Sequence, residues 1–163
     1  MKKLSLRRSV ILKVALPILA LLIPMVAGSQ NKTSADIYPV PEAALGEIKA
    51  ALADASRAHK RIILDFGGNW CGDCHALDKY FHQEPNASLL KGNFILVDVN
   101  IGKFDKNVDI AKKYGVPLEK GVPALAVLDA DGNTLFSQKQ GEFESMRRMD
   151  PSAVTEFLKH WKR

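Results

Sequence analysis

The stretch Ile62-Ile63-Leu64-Asp65-Phe66-Gly67-Gly68-Asn69-Trp70-Cys71-Gly72-Asp73-Cys74-His75 decides the fold. Ile62, Ile63, Leu64 and Phe66 form an apolar, largely β-branched run that reads as a buried strand, with one carboxylate, Asp65, inside it. Gly67, Gly68 and Asn69 break the strand. Ala76, Leu77, Lys79, Tyr80 and Phe81 then resume with helical spacing. Cys71 and Cys74 therefore fall on a strand-to-helix turn. In the first turn of a helix the unpaired N–H groups and the dipole favour negative charge. A thiolate at Cys71 gains from both, and Cys74, three residues on, lies beside it on the same face. A structural staple usually closes a longer loop, which restricts the unfolded chain more. A spacing of only two intervening residues suits a dithiol that opens and closes a disulfide.

The 163 residues argue for one domain plus a small appendage. The net charge of +5 is concentrated at the start. Lys2, Lys3, Arg7, Arg8 and Lys13 all lie in residues 1–28, which hold no Asp or Glu, and the remainder carries 18 basic against 18 acidic residues. A neutral remainder gives no electrostatic footprint for nucleic acid. Residues 1–28 read as an export signal: a basic start, an apolar run from Val14 to Val26, then Ala27-Gly28-Ser29. The run is short for a bilayer span and contains Pro17 and Pro24, so cleavage is expected, with an uncleaved membrane anchor as the alternative. Arg7-Arg8 loosely matches a twin-arginine export signal. Residues 29–38 are polar and without period, a tether to a domain spanning 39–163.

Within that domain Glu42–Lys60 has helical spacing, with Ala44, Leu45, Ile48, Leu52 and Ala55 on one side. Arg61–Phe66 is the central strand, and a helix is expected from about Cys71 to Gln83. Pro85-Asn86 interrupts before a short helical piece around Ser88–Lys91. Phe94–Val99 reads as a second buried strand and Asp105–Tyr114 as a short helix, its apolar positions Val108, Ile110, Ala111 and Tyr114. Residues 115–122 form a loop. Ala124–Leu128 and Thr134–Ser137 flank Ala130-Asp131-Gly132-Asn133, a hairpin with strong turn chemistry. Asp150 is placed to cap a last helix with Pro151 at its first position, buried through Val154, Phe157, Leu158 and Trp161. The order βαβ, β-hairpin, helix predicts an α/β fold with a central mixed sheet flanked by helices on both faces.

Trp70-Cys71-Gly72-Asp73-Cys74 resembles the active-site stretch of the thioredoxin superfamily, which has proline where Asp73 stands. Asp65, six residues before Cys71, matches the family's buried aspartate, and Gly121-Val122-Pro123-Ala124-Leu125 is similar to the approach to its cis-proline. Gly141 stands where the family has a glycine near the end of its last strand. The likeness covers roughly residues 60–160 and holds three motifs in the family's order. It implies a thiol–disulfide oxidoreductase with Cys71 as nucleophile and Cys74 as resolving thiol. Asp65 becomes a buried proton relay to Cys74, and Trp70, Val122 and Pro123 the substrate-contacting residues. Electrons pass through the two cysteines, so no bound cofactor is expected. The implied partners are disulfide-bearing proteins and, in an envelope compartment, an upstream thiol protein or membrane electron carrier.

Two departures bear on the chemistry. The lysine or glutamate that thioredoxins often place on the strand beside the aspartate aligns with Leu96, which leaves Asp65 without an opposite charge. Asp73 puts a negative charge near the thiolate while favouring the helix start, and His75 offsets it only when protonated. Val122 before Pro123 resembles the aliphatic residue of thioredoxin, not the threonine common in dedicated disulfide oxidases, which tilts the reading toward a reductase.

Three rival readings stand. Cys71-Gly72-Asp73-Cys74-His75 fits the haem-attachment pattern Cys-x-x-Cys-His, with His75 as proximal and Met146 or Met149 as distal ligand. Against it, the motif follows a buried strand in a chain that alternates strands and helices. Zinc lacks a second pair of ligands. A non-catalytic binding module of thioredoxin fold usually loses a cysteine, and both are present.

Overall fold

The computed structural model describes residues 36–163. The proposed signal, 1–28, and most of the tether lie outside the described residues. The domain begins earlier than expected: Tyr38, assigned to the tether, is buried. The chain enters through a single 3-10 turn, Pro41–Ala43, into helix α1, Ala44–Ala58. Strand β1, Arg61–Gly67, leads through the cysteine turn into α2, Gly72–Phe81. Helix α3, Asn86–Asn93, strand β2, Phe94–Asn100, and α4, Val108–Lys113, follow. The hairpin strands β3, Ala124–Leu128, and β4, Thr134–Ser137, and helix α5, Ser152–Trp161, complete the domain.

The strands lie in the order β2-β1-β3-β4. β1 runs parallel to β2 and antiparallel to β3, which pairs antiparallel with β4, so the sheet is mixed as expected. β1 is central, and all its residues but Arg61 are buried. It reads as a continuous apolar run because both of its faces are covered. Ala44, Ile48, Ala51 and Ala55 of α1 and Ile110 and Ala111 of α4 share one core with Ile62, Leu64 and Phe66. Leu77 and Phe81 of α2 and Val154 and Leu158 of α5 share the other with Ile63, Leu125 and Val127. Helices therefore cover both faces. Among the described residues no helix is long and apolar enough to cross a membrane.

Several boundaries and faces differ from the sequence reading. α1 begins at Ala44, and its buried stripe recurs at 44, 48, 51 and 55, which rotates Leu45 out to solvent. α4 begins only after Asn107, whose φ of 51° is left-handed, and Val108 is exposed. The loop before Val122 contains a 3-10 turn at Leu118–Lys120. The hairpin turn is organised by Asp129, outside the expected tetrad: its carboxylate accepts from the N–H groups of Asp131 and Asn133. α5 begins one residue later than expected, at Ser152 with Pro151 as its N-cap, and Asp150, just ahead of that cap, accepts from the Ser152 N–H at 2.9 Å. β4 ends at Ser137, four residues before Gly141, which turns with φ of 75° where a Cβ would press on the Lys120 carbonyl.

Candidate active site

The turn that ends β1 carries the cysteines to the start of α2. The Cys71 N–H donates to the Gly68 carbonyl at 2.9 Å, and Cys71 itself is extended, φ −90° and ψ 109°. It is the helix N-cap: its sulfur accepts from the Cys74 N–H at 3.1 Å. The two cysteines form a disulfide with Cα atoms 5.2 Å apart. Their access differs. Cys71 retains 5% of its surface, and Cys74 retains none. The cis peptide bond Val122–Pro123 faces the pair, with the Val122 carbonyl oxygen 3.6 Å from Cys71 Sγ. A second cis bond, Glu84–Pro85, lies after α2.

Behind the disulfide sits Asp65, 1% exposed. In register it faces Asp98 of β2, and Leu96 pairs with Ile63 two residues away. The expectation that Leu96 is Asp65's neighbour is thus corrected: strand register shifts the pairing by two residues, and the true neighbour is another carboxylate. Burial pushes the Asp65 carboxyl well above its ordinary range, with the charge of Asp98 adding to it. One hydrogen bond opposes that rise. The Tyr38 hydroxyl donates to Asp65 Oδ2 at 2.9 Å, whereas Oδ1 is buried without a partner among the described residues. Gly67 leaves the space for this arrangement, because a Cβ there would run into the Tyr38 hydroxyl and lie 2.8 Å from Cys74 Sγ.

Asn69 fastens the tyrosine. Its Oδ1 accepts from the N–H groups of Ile37 and Tyr38, and its Nδ2 donates to the Tyr38 carbonyl, each at 2.9 Å. The sequence hint was available only in retrospect: an apolar pair, Ile37-Tyr38, inside a stretch otherwise polar.

The rim completes the site. Trp70 is half exposed, donates its indole N–H to the Gly102 carbonyl at 2.5 Å, and packs against Phe104 with the rings tilted by 50° and centroids 5.5 Å apart. Phe104, in the left-handed region at φ 65°, also lines an apolar groove of about 500 Å³ with Val108, Leu118 and Gly121. Asp73 is not left to His75. Its carboxylate accepts from the Arg147 N–H at 2.8 Å and from the Arg147 guanidinium at 2.9 Å. Those bonds hold its carboxyl below the ordinary range. Arg147 lies in the 3-10 turn Met146–Arg148, far along the chain, and no local pattern signals it. His75 Nε2 sits 2.9 Å from the Asn69 carbonyl oxygen.

Comparisons with known proteins agree with this geometry. The family model described as thioredoxin-like matches residues 43–130. The crystal structure of a disulphide isomerase from Xylella fastidiosa Temecula1 superposes with a TM-score of 0.72 at 35% identity, covering 76% of this chain and 95% of that one. Thiol:disulfide interchange protein DsbD of Photorhabdus laumondii is 25% identical over 104 residues, 63% of this chain and 17% of that protein. DsbD of Vibrio cholerae is 32% identical over 90 residues, 54% of this chain and 14% of that protein. The chain thus spans less than a fifth of the length of the two DsbD relatives. A mixed sheet between two helical layers, a cysteine pair capping a helix opposite a cis-proline, and a matching family model lead to one conclusion: the chain belongs to the thioredoxin-like family, and its class of chemistry is thiol–disulfide exchange.

Proposed function

We propose that the protein is a reductase of disulfide-bearing proteins in the cell envelope, with Cys71 as nucleophile and Cys74 as resolving thiol. The observation that carries the assignment is the asymmetry of the pair: Cys71 is the helix N-cap and keeps 5% of its surface, whereas Cys74 keeps none and lies deeper, near the Tyr38 hydroxyl that donates to Asp65. In the reduced protein a Cys71 thiolate attacks one sulfur of a substrate disulfide, and the first substrate thiolate leaves. Cys74 then gives its proton to the Asp65 carboxylate and attacks Cys71 Sγ. The second substrate thiolate leaves and takes a proton from water. Two electrons have passed to the substrate, and the Cys71–Cys74 disulfide of this structure is the product. The Val122 carbonyl, set beside Cys71 by the cis bond, is positioned to accept from an extended substrate backbone, with Trp70 against its side chains.

The reductase direction rests on Val122 before Pro123, and the envelope on the basic, then apolar, start of the chain, which lies outside the described residues. An upstream thiol protein or membrane electron carrier would restore the dithiol. The haem reading is disfavoured by Met146, fully buried in the core of α2 and α5, and by His75 beside the Asn69 carbonyl. The test is trapping: Cys74→Ser accumulates mixed disulfides with host proteins and Cys71→Ser accumulates few. Equal trapping, or trapping only by Cys71→Ser, reverses the assignment. A reduction potential above that of its compartment's thiol pool would reverse the direction. Mature protein beginning near Ser29–Asn31 supports export, and intact Met1 on membranes supports the anchor.

A further inference from the structure

We propose that Tyr38, held in place by Asn69, is a positioning residue for the proton step at Cys74, its hydroxyl fixing the Asp65 carboxyl so that the free oxygen receives the thiol proton. The inference deepens the reading above and rests on Asp65 being the acceptor. Tyr38 belongs to the segment ahead of α1, yet three hydrogen bonds from the side chain of Asn69 tie that segment to the turn that carries Trp70 and Cys71. A structural anchor would need only the ring and the backbone bonds. Here the hydroxyl goes further and donates to Asp65 Oδ2 inside the core.

That bond occupies one carboxyl oxygen and leaves Oδ1, buried and without a partner among the described residues, to take a proton. Gly67 brings the parts together, because the space its side chain would fill is bordered by both the Tyr38 hydroxyl and Cys74 Sγ. The phenol itself is a donor only. Burial and the neighbouring Asp65 push its ionisation further up, so it stays protonated. The charged groups around Asp65 are Asp98 across the strand pair and Asp78 on α2, both of which disfavour its ionised form, and the facing residue on β3 is Leu125. Tyr38 supplies the opposing effect: a hydroxyl donating to a carboxylate favours the charged, proton-accepting form.

The proton transfer balances within the exchange. Cys74 loses its proton to Asp65, the bond between Cys71 and substrate breaks, and the Cys71–Cys74 bond forms. Without the Tyr38 hydroxyl, Asp65 accepts only at higher pH.

The experiment mixes reduced protein with an aromatic disulfide that releases one coloured thiolate on attack by Cys71 and a second on resolution by Cys74. Rates are followed against pH for the wild type, Tyr38→Phe, Asn69→Ala and Asp65→Asn, with the first release as internal reference. The infrared carboxyl band lost in Asp65→Asn reports Asp65 directly. Tyr38→Phe is expected to move the acid limb of the second release, and the titration of that band, to higher pH. Asn69→Ala moves both the same way and serves if Tyr38→Phe does not fold. If Asp65→Asn abolishes the limb while the other two leave limb and band in place, Tyr38 is an anchor and the proposal fails. If Asp65→Asn keeps the limb, the Asp65 reading fails instead, and the proposal with it.

Discussion

Gly67→Ala tests the packing on which the buried acid depends. The new methyl carbon would lie 2.6 Å from Tyr38 Cζ and 2.8 Å from Cys74 Sγ, and closer still to the Tyr38 hydroxyl oxygen. Optimal separation for such atoms is roughly 3.5–4.0 Å. Neither neighbour yields easily. The tyrosine is tied by Asp65 at one end and Asn69 at the other, and the sulfur is tied by the disulfide. Overpacking of this kind costs about 1–3 kcal/mol. Replacing glycine restricts the unfolded chain and offsets about 0.4–1 kcal/mol of that. The net loss is on the order of 1–2 kcal/mol, which for a domain of this size lowers Tm by roughly 4–8 °C. Thermal unfolding of the oxidised protein measures it, alone and in a Tyr38→Ala background. With the ring gone, two of the three nearest contacts disappear and Cys74 Sγ remains, so the penalty of Gly67→Ala shrinks, a coupling that a double-mutant cycle reads directly. A Tm at or above wild type, or an undiminished penalty in the Tyr38→Ala background, would refute the packing of Tyr38 against Gly67.

The remaining predictions concern charge and core. The Asp65 carboxyl holds its proton to higher pH when folded than when unfolded, so between the ordinary value of 3.8 and the raised folded value the native state binds more protons and stability falls as pH rises. Asp65→Asn removes that slope and is the more stable protein above the window; unfolding curves whose difference from wild type does not vary with pH would contradict the burial argument. Arg147→Gln leaves Asp73 uncompensated at the start of α2, so less Cys71 thiolate forms at a fixed pH and the reduction potential becomes more negative, an effect that adding Asp73→Asn reverses. An unchanged potential at low salt would show that the pair only fastens the 3-10 turn at Met146–Arg148 to α2. Leu158→Ala, in the core between α5 and the sheet, costs about 2–5 kcal/mol in denaturant unfolding and leaves thiolate reactivity as it was.

What the sequence by itself determined was local. The apolar run ending in Gly67-Gly68, the cysteine spacing and the Asp131-Gly132 turn are written in adjacent residues, and the strands they imply occur at β1, β3 and β4. The cis bond at Val122–Pro123 is what the family resemblance of Gly121–Leu125 implied. The helical faces were nearly as readable, failing where one residue of phase decided burial, as at Leu45. Only the tertiary structure decided which charges meet. Asp98 faces Asp65 because strand register, which no local pattern specifies in a strand covered on both sides, sets them opposite. Tyr38 reaches Asp65 across 27 residues and Arg147 reaches Asp73 across 74, both brought in by the packing of distant segments on the turn that carries the cysteines. The sequence specified the dithiol; the fold brought the Tyr38 hydroxyl to Asp65 and the Arg147 guanidinium to Asp73, because electrostatics depends on distance in space and not on spacing along the chain.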